Sequence, residues 1–139
     1  MRVISGIYKR RRFDVPRTFK ARPTTDFAKE NLFNVLANYL DFEDGVSALD
    51  LFAGTGSISI ELVSRGCDRV ISVEKDRDHH AFICKIMQEV KTTNVSLSVA
   101  MYSNSLKEDV NSSISSLPIL RTNCRDWKPF LVLSSKTIS

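Results

Sequence analysis

At 139 residues, 42% of them hydrophobic, the chain can bury one core and has no room for a second, substrate-binding domain. No apolar run is long enough to span a bilayer, and the basic N-terminus lacks the apolar stretch of a secretory signal, so a cytoplasmic protein without a membrane partner is expected. The three cysteines, Cys67, Cys84 and Cys124, have no paired spacing and read as reduced thiols.

The net charge of +4 is unevenly spread. Residues 1–22 carry eight cations, Arg2, Lys9, Arg10, Arg11, Arg12, Arg17, Lys20 and Arg22, against the single acid Asp14. That segment is therefore +7 and the remaining 117 residues sum to −3. Phosphate backbones attract such a segment through counterion release, which makes nucleic acid its natural partner. Val3, Ile4, Ile7, Tyr8, Phe13, Val15 and Phe19 are interleaved with the charges. The arm can therefore pack as well as bind.

The arm ends at Arg22-Pro23-Thr24-Thr25-Asp26. Pro23 disfavours helix at Arg22, and Thr24, Thr25 and Asp26 are all suitable N-caps. A helix follows to about Leu40, because Ala28, Leu32, Val35, Leu36 and Tyr39 recur with helical period. After the polar break 41–45, the short apolar run from Val46 to Phe52 predicts a buried strand. A glycine turn from Ala53 to Ser57 leads into a helix from Ile58 to Ser64, which Gly66 stops. Arg69 to Val73 predicts a second strand ending at Glu74, and Asp76 or Asp78 starts a helix through Phe82, Ile83, Ile86, Met87 and Val90. Strand, glycine turn, helix, strand, helix opens an α/β doubly wound, mostly parallel sheet. Residues 92–139 are rich in serine, contain no glycine and show neither periodicity, so the C-terminal strands are expected to be incomplete or aberrant.

Ala48 to Ser57 is the most informative stretch. Gly54 and Gly56 permit a tight turn and close backbone approach to a ligand at the end of the first strand. The helix beginning there offers unpaired N–H groups. Glu74, 20 residues after Gly54, ends the second strand, where a carboxylate can accept from both hydroxyls of a ribose. A nicotinamide dinucleotide site wants a third glycine where Ser59 stands, and Asp50 would face its pyrophosphate. S-adenosylmethionine has no phosphate and carries a cationic sulfonium and ammonium, so Asp50 favours it.

The segments Arg2-Val3-Ile4-Ser5-Gly6, Arg22-Pro23-Thr24-Thr25-Asp26 and Leu32-Phe33-Asn34-Val35-Leu36 resemble those of the RsmD-like ribosomal RNA guanine methyltransferases. Asp50 to Gly56 and Val73-Glu74 fit the same family in order and spacing, so the likeness covers about residues 1–91. It implies a Rossmann-like class I methyltransferase that methylates a guanine exocyclic amine of small-subunit ribosomal RNA. It also implies that Asp50, Phe52, Gly54, Gly56 and Glu74 hold S-adenosylmethionine, with Thr24 and Thr25 near its amino-acid end. The basic arm, residues 1–22, would lie on ribosomal RNA or a small-subunit assembly intermediate. Residues 23–91 would be the cofactor-binding core of a monomer.

Transfer to an exocyclic amine on this fold uses Asp or Asn followed by Pro-Pro and an aromatic. Its oxygens accept the amine hydrogens, and its ring stacks on the extruded base. Pro118 and Pro129, the prolines beyond residue 23, stand in no such motif, so no catalytic residue is assigned and the chain as written is expected not to turn over. Ser113-Ile114-Ser115-Ser116-Leu117-Pro118-Ile119-Leu120-Arg121-Thr122 can be encoded by TCG ATT TCA TCT TTG CCG ATC CTC CGT ACN. Preceded by T and read one base earlier, that DNA spells Phe-Asp-Phe-Ile-Phe-Ala-Asp-Pro-Pro-Tyr. Ser98 to Ser103 back-reads likewise as Arg-Gly-Asp-Val-Phe, resembling the family's third-strand ending. Residues 92–139 thus read as a frameshifted tail that should pack poorly.

Adjacent histidines, His79 and His80, at a helix start point to different faces, and with Asp76 and Asp78 they read as a solvated first turn rather than metal ligands. Cys84, beside Ile83 and Met87, reads as core. The competing functions are a DNA-modifying methyltransferase of similar core and a non-catalytic RNA-binding remnant, with a nicotinamide-dependent oxidoreductase more remote. The coding DNA for Lys91 to Ser139 is expected to regain the Asp-Pro-Pro-Tyr frame on a one-base shift. Codons that forbid this reading would make the tail genuine and favour the RNA-binding remnant.

Overall fold

The computed structural model describes residues 1–20 and 22–92, and the strand segments 100–101 and 130–134. In chain order these hold α1 (Asp26–Ala37), β1 (Ser47–Leu51), α2 (Ser57–Ser64), β2 (Arg69–Glu74), α3 (Arg77–Glu89), β3 (Ala100–Met101) and β4 (Phe130–Ser134). The sheet order is β3-β2-β1-β4 and every pairing is parallel. This is the expected α/β doubly wound arrangement of a Rossmann-like fold.

Each helix starts where its capping chemistry places it. Thr25 caps α1, its hydroxyl accepting from the Ala28 N–H at 3.2 Å. Asp76 caps α3, its Oδ1 accepting from the Asp78 and His79 N–H groups at 2.9 and 3.2 Å. Gly56, at φ +75°, caps α2 without a side chain, leaving the first turn of that helix open. All eight residues of α2 are buried, because one side faces β1 and β2 and the other is covered by the N-terminal segment.

That segment is a folded hairpin. Val3 and Arg11 pair through the Val3 N–H and the Arg11 carbonyl at 3.0 Å, the Arg10 N–H returns to the Val3 carbonyl at 3.0 Å, and Arg2 bridges Arg12 in antiparallel fashion. Val3 and Phe13 enter the main core, each stabilising the packing by about 2 kcal/mol. Glu61 fastens the hairpin to α2. Its two carboxylate oxygens accept from the Ile4 N–H at 2.8 Å and the Ser5 N–H at 3.0 Å, and Arg65 Nε adds a third bond at 3.0 Å. Lys29 Nζ lies 3.8 Å from the same carboxylate and donates to the Arg2 carbonyl. Lys29 and Glu61 are both fully buried. Burial pushes the Lys29 ammonium below its ordinary range, and Glu61 opposes that fall.

Glu61 and Lys29 were not foreseen as core residues. The helical period expected over α1 used Ala28, Leu32, Val35, Leu36 and Tyr39, yet Val35 and Tyr39 are exposed and the buried pair is Lys29 and Phe33. The ammonium of Lys29 takes an inward position because Glu61 and a carbonyl satisfy it there. Gly6, at φ +82°, is required by close approach: a Cβ there would lie 1.8 Å from the Ser64 carbonyl oxygen.

Beyond Lys91 two pieces of the tail join the sheet. β4 pairs with β1 over five residues, from Ser47 opposite Phe130 to Leu51 opposite Ser134, and Leu133 is buried. β3 pairs with the end of β2 at Val73–Ala100 and Glu74–Met101, within the stretch that back-reads as a third-strand ending. Both are short apolar runs without alternation, which periodicity alone cannot assign. Residues 113–122, where the shifted-frame motif is expected, lie outside the described residues.

Glu61→Gln is expected to destabilise the chain by about 3–5 kcal/mol, because it leaves the buried Lys29 ammonium without its counter-charge. Lys29→Met is expected to cost less, since Glu61 keeps Ile4, Ser5 and Arg65. Urea unfolding of the two variants checks the order, and equal losses would contradict it.

Candidate cofactor cleft

The cleft lies at the carboxyl ends of β1 and β2. β1 leaves the sheet at Leu51, and the pairing continues one step beyond it through the Ala53 N–H to the Val73 carbonyl at 2.9 Å. Between them Phe52 adopts φ +61°, a left-handed conformation that a branched or aromatic residue enters only under strain. The residue is 41% exposed at the mouth of the turn. Gly54 and Gly56 follow at φ +59° and +75°, and the Gly56 N–H closes the turn on the Ala53 carbonyl at 2.8 Å. A Cβ on Gly56 would stand 2.9 Å from Ile83 Cγ1, so α3 leaves space there for glycine alone.

Glu74 ties this turn to β2. Its Oε2 accepts from the Gly54 N–H at 2.6 Å, while its Oε1 accepts from the Lys75 and Asp76 N–H groups at 2.8 and 2.9 Å. The sequence reading gave this carboxylate two ribose hydroxyls. Three backbone donors already hold it, and the acceptor capacity left lies mainly on Oε2. A ribose would therefore meet a carboxylate already oriented by the turn.

Asp50 is fully buried, one step before the end of β1. Ser59 Oγ donates to Asp50 Oδ2 at 2.6 Å, and Ser72 Oγ lies 2.5 Å from Ser59 Oγ. Among the described residues Asp50 Oδ1 has no hydrogen-bond partner, nor has Ser57 Oγ at the start of α2. Burial raises the Asp50 carboxyl from 3.8 to about 7, with Glu74 adding to the rise and Ser59 opposing it. A buried carboxylate with one oxygen unsatisfied fits a cationic ligand better than a phosphate.

These features fit the adenosylmethionine donor set: an oriented carboxylate for a ribose, a glycine cradle for close approach, and an acid with a spare oxygen for an ammonium. Gly54 and Glu74 are brought into direct contact, and Asp50 and Phe52 flank the same turn. Thr25 is committed to capping α1, and Thr24 beside it is half-buried.

The eight cations of the arm are all exposed. Arg2, Lys9, Arg10, Arg11 and Arg12 share the hairpin, whereas Arg17, Lys20 and Arg22 stand on the link to α1. Arg2 is spoken for in part by an exposed ion pair with Asp26, 2.9 Å from Nε to Oδ2. The Arg11 guanidinium lies 5.8 Å from the centre of the Tyr8 ring.

The solvated first turn expected of α3 fails at His79, which is buried. Phe19 of the arm covers it, with ring centres 4.5 Å apart, and Nδ1 stands 3.9 Å from Glu74 Oε1. Cys84 is only partly buried, while burial pushes the Cys67 thiol up to about 12 and keeps it inert. Sequence reasoning missed Ser59, Ser72 and His79 as neighbours of the cleft. The one available signal was Ser59 itself, a polar residue among Ile58, Ile60 and Leu62.

A family model described as conserved hypothetical protein 95 matches residues 1–117. The chain belongs to this family. Ribosomal RNA small subunit methyltransferase D of Haemophilus influenzae is 34% identical over 94 residues, 68% of this chain and 47% of that protein. YlbH of Bacillus subtilis, a candidate rRNA methyltransferase, is 36% identical over 114 residues, 82% of this chain and 56% of that protein. Among solved structures, the candidate methyltransferase yhhF of Escherichia coli superposes with a TM-score of 0.61 at 31% identity, over 73% of this chain and 52% of that one. The RsmD-like resemblance and the Rossmann-like methyltransferase fold are thereby borne out. The likeness also runs further than residue 91, to 117, yet stops short of residues 119–122, where the shifted frame is expected to spell Asp-Pro-Pro-Tyr. The chain spans about half the length of the curated relatives it matches. Among the described residues no helix is long and apolar enough to cross a membrane.

Because the folded Asp50 carboxyl sits well above its unfolded value, it stabilises the unliganded fold most below pH 3.8 and loses that contribution as the pH rises through about 7. Asp50→Asn is therefore expected to gain stability relative to the parent chain between pH 4 and pH 8. Thermal unfolding over that range checks the sign; a constant difference would refute it.

Proposed function

We propose that this chain is the cofactor-binding part of an S-adenosylmethionine-dependent methyltransferase whose substrate is a guanine exocyclic amine in small-subunit ribosomal RNA. The observation that carries the reading is the contact between Glu74 and the Gly54 N–H beside the buried, half-satisfied Asp50. Membership of a family whose curated relatives are named for ribosomal RNA methylation supports the substrate class.

When bound, the cofactor supplies an activated methyl group on a sulfonium. The part played by this chain is to hold it. Glu74 accepts from the ribose, the glycine turn admits the cofactor backbone-close, and Asp50 faces its cationic amino-acid end, with Thr24 and Thr25 nearby. Phe52 lines the mouth. Arg2, Lys9, Arg10, Arg11, Arg12, Arg17, Lys20 and Arg22 take the phosphates of the RNA, a role supported by their common exposure. The step that aims the amine lone pair needs the Asp-Pro-Pro-aromatic motif, which these 139 residues lack and which we place in the shifted frame of the tail. A cytoplasmic monomer acting on ribosomal RNA or a small-subunit assembly intermediate accords with this reading.

Calorimetric titration with S-adenosylmethionine is expected to show binding that Glu74→Ala weakens by about tenfold or more, the loss of a charge-assisted hydrogen bond. Binding to a small-subunit ribosomal RNA fragment is expected to weaken steeply with salt and to respond to Arg10, Arg11 and Arg12 replaced together by Ala. No methyl transfer is expected from the chain as written. Turnover on ribosomal RNA would refute the assignment of amine positioning to the missing motif. RNA binding indifferent to the cofactor, with no cofactor binding, would instead select the RNA-binding remnant.

A further inference from the structure

The polar chain Ser72–Ser59–Asp50 crosses three elements of the cleft: β2, α2 and β1. All three residues are fully buried. Ser72 and Asp50 are register partners on adjacent strands, so their side chains leave the same face of the sheet, and Ser59 reaches down from the first turn of α2 to join them. Proton counting fixes the direction of the chain. Ser59 spends its one hydroxyl proton on Asp50 Oδ2, so in the 2.5 Å contact Ser72 is the donor and Ser59 the acceptor. The Ser72 hydroxyl therefore donates to Ser59 and the Ser59 hydroxyl to one carboxylate oxygen, so the first bond strengthens the second. Neither serine touches Oδ1.

We infer that Ser59, backed by Ser72, is a positioning residue for the cofactor. It fixes the Asp50 carboxylate through Oδ2, favours its ionised form, and reserves Oδ1 for the cationic end of S-adenosylmethionine. The inference rests on the cofactor reading above and goes beyond it in assigning a role to Ser59 of α2, which bonds the acid, and to Ser72 of β2, which bonds Ser59. It also gives a reason for a serine where a dinucleotide turn has glycine. A glycine there could donate only its backbone N–H and would leave the buried Asp50 charge with less support.

The charged and titratable neighbours of Asp50 give the effect its sign. Glu74 at the end of β2 disfavours the Asp50 charge, Ser59 of α2 favours it, Ser72 of β2 acts through Ser59, and β4 presents Leu133 opposite. Removing the Ser59 hydroxyl therefore moves the ionisation of Asp50 to higher pH. A cationic ligand that needs the ionised acid must then pay for proton release over a wider pH range.

The test is the affinity of the full chain for S-adenosylmethionine and for S-adenosylhomocysteine from pH 6 to pH 9, with Ser59→Ala and Ser72→Ala compared to the parent. The ratio of affinities removes the ionisation of the ligand itself. At pH 6, Ser59→Ala is expected to bind about tenfold more weakly, the equivalent of one unit in Asp50 ionisation, and the deficit should vanish towards pH 9. Ser72→Ala should show the same slope at about a third of the size. Thermal unfolding confirms that each variant is folded, and the carbon-13 shift of the Asp50 carboxyl follows its ionisation without any ligand. A deficit constant across pH would reduce Ser59 to a packing role and overturn the inference while leaving the cofactor reading intact. An Asp50 titration unmoved by Ser59→Ala would overturn it too. Failure of the parent chain to bind either ligand would overturn both.

Discussion

A single carboxylate, that of Glu61, joins parts of this molecule that are far apart in sequence. It stands in the middle of a helix whose eight residues are all buried, and it takes hydrogen bonds from residues 4, 5 and 65 while facing the ammonium of Lys29. An unpaired carboxylate in that position would be intolerable. With its partners present it connects the N-terminal hairpin, α1 and α2. Gly6, Ser64 and Tyr8 extend the seam: the Ile7 N–H donates to the Ser64 carbonyl at 2.7 Å, and Ser64 Oγ accepts from the Tyr8 N–H at 3.0 Å. The basic segment is consequently no loose tail. Its backbone is anchored from below, which leaves the long cationic side chains outward and holds them in one frame with the cleft.

The same economy organises the cleft. Glu74 and Asp50 are both acids at strand ends, but their surroundings differ. Glu74 is held by three backbone N–H groups at the rim, so its orientation is set before any ligand arrives. Asp50 lies beneath the turn, where burial raises its proton affinity and Ser59 opposes that rise. One acid is prepared by geometry, the other by a balance of desolvation against hydrogen bonding. Phe19 and His79 add a physical bridge between the arm and Glu74, since the ring of Phe19 covers the imidazole that stands beside that carboxylate. Lys20 stands one residue, and Arg17 two residues, from the ring that covers His79.

Local chemistry made most of the first 91 residues legible. Thr25 and Asp76 cap the helices where a short oxygen-bearing side chain precedes a periodic run, and Gly54 and Gly56 mark a turn that needs positive φ. β1 and β2 follow from apolar runs too short to be helices. What failed to show in the pattern were residues whose burial depends on a distant partner. Lys29 and Glu61 look like surface charges in any window, and His79 looks like an ordinary first-turn residue, until Phe19 is laid across it. β3 and β4 were unread for a related reason. A short apolar run becomes a parallel strand only when a neighbouring strand supplies its hydrogen bonds.

By itself the sequence determined the Rossmann-like order of elements, the glycine turn with its two acids, the family resemblance carried by the N-terminal segments, and the concentration of positive charge in residues 1–22. Each of these depends on interactions within a few residues, or on residue type alone. Only the tertiary structure decided that the basic arm is a docked hairpin, that Glu74 is already engaged by the turn it closes, and that Ser72 and Ser59 form a hydrogen-bonded chain ending on one oxygen of Asp50. Those facts arise from contacts across roughly ten to sixty residues of chain, where desolvation makes each polar group seek whichever partner the fold brings within reach.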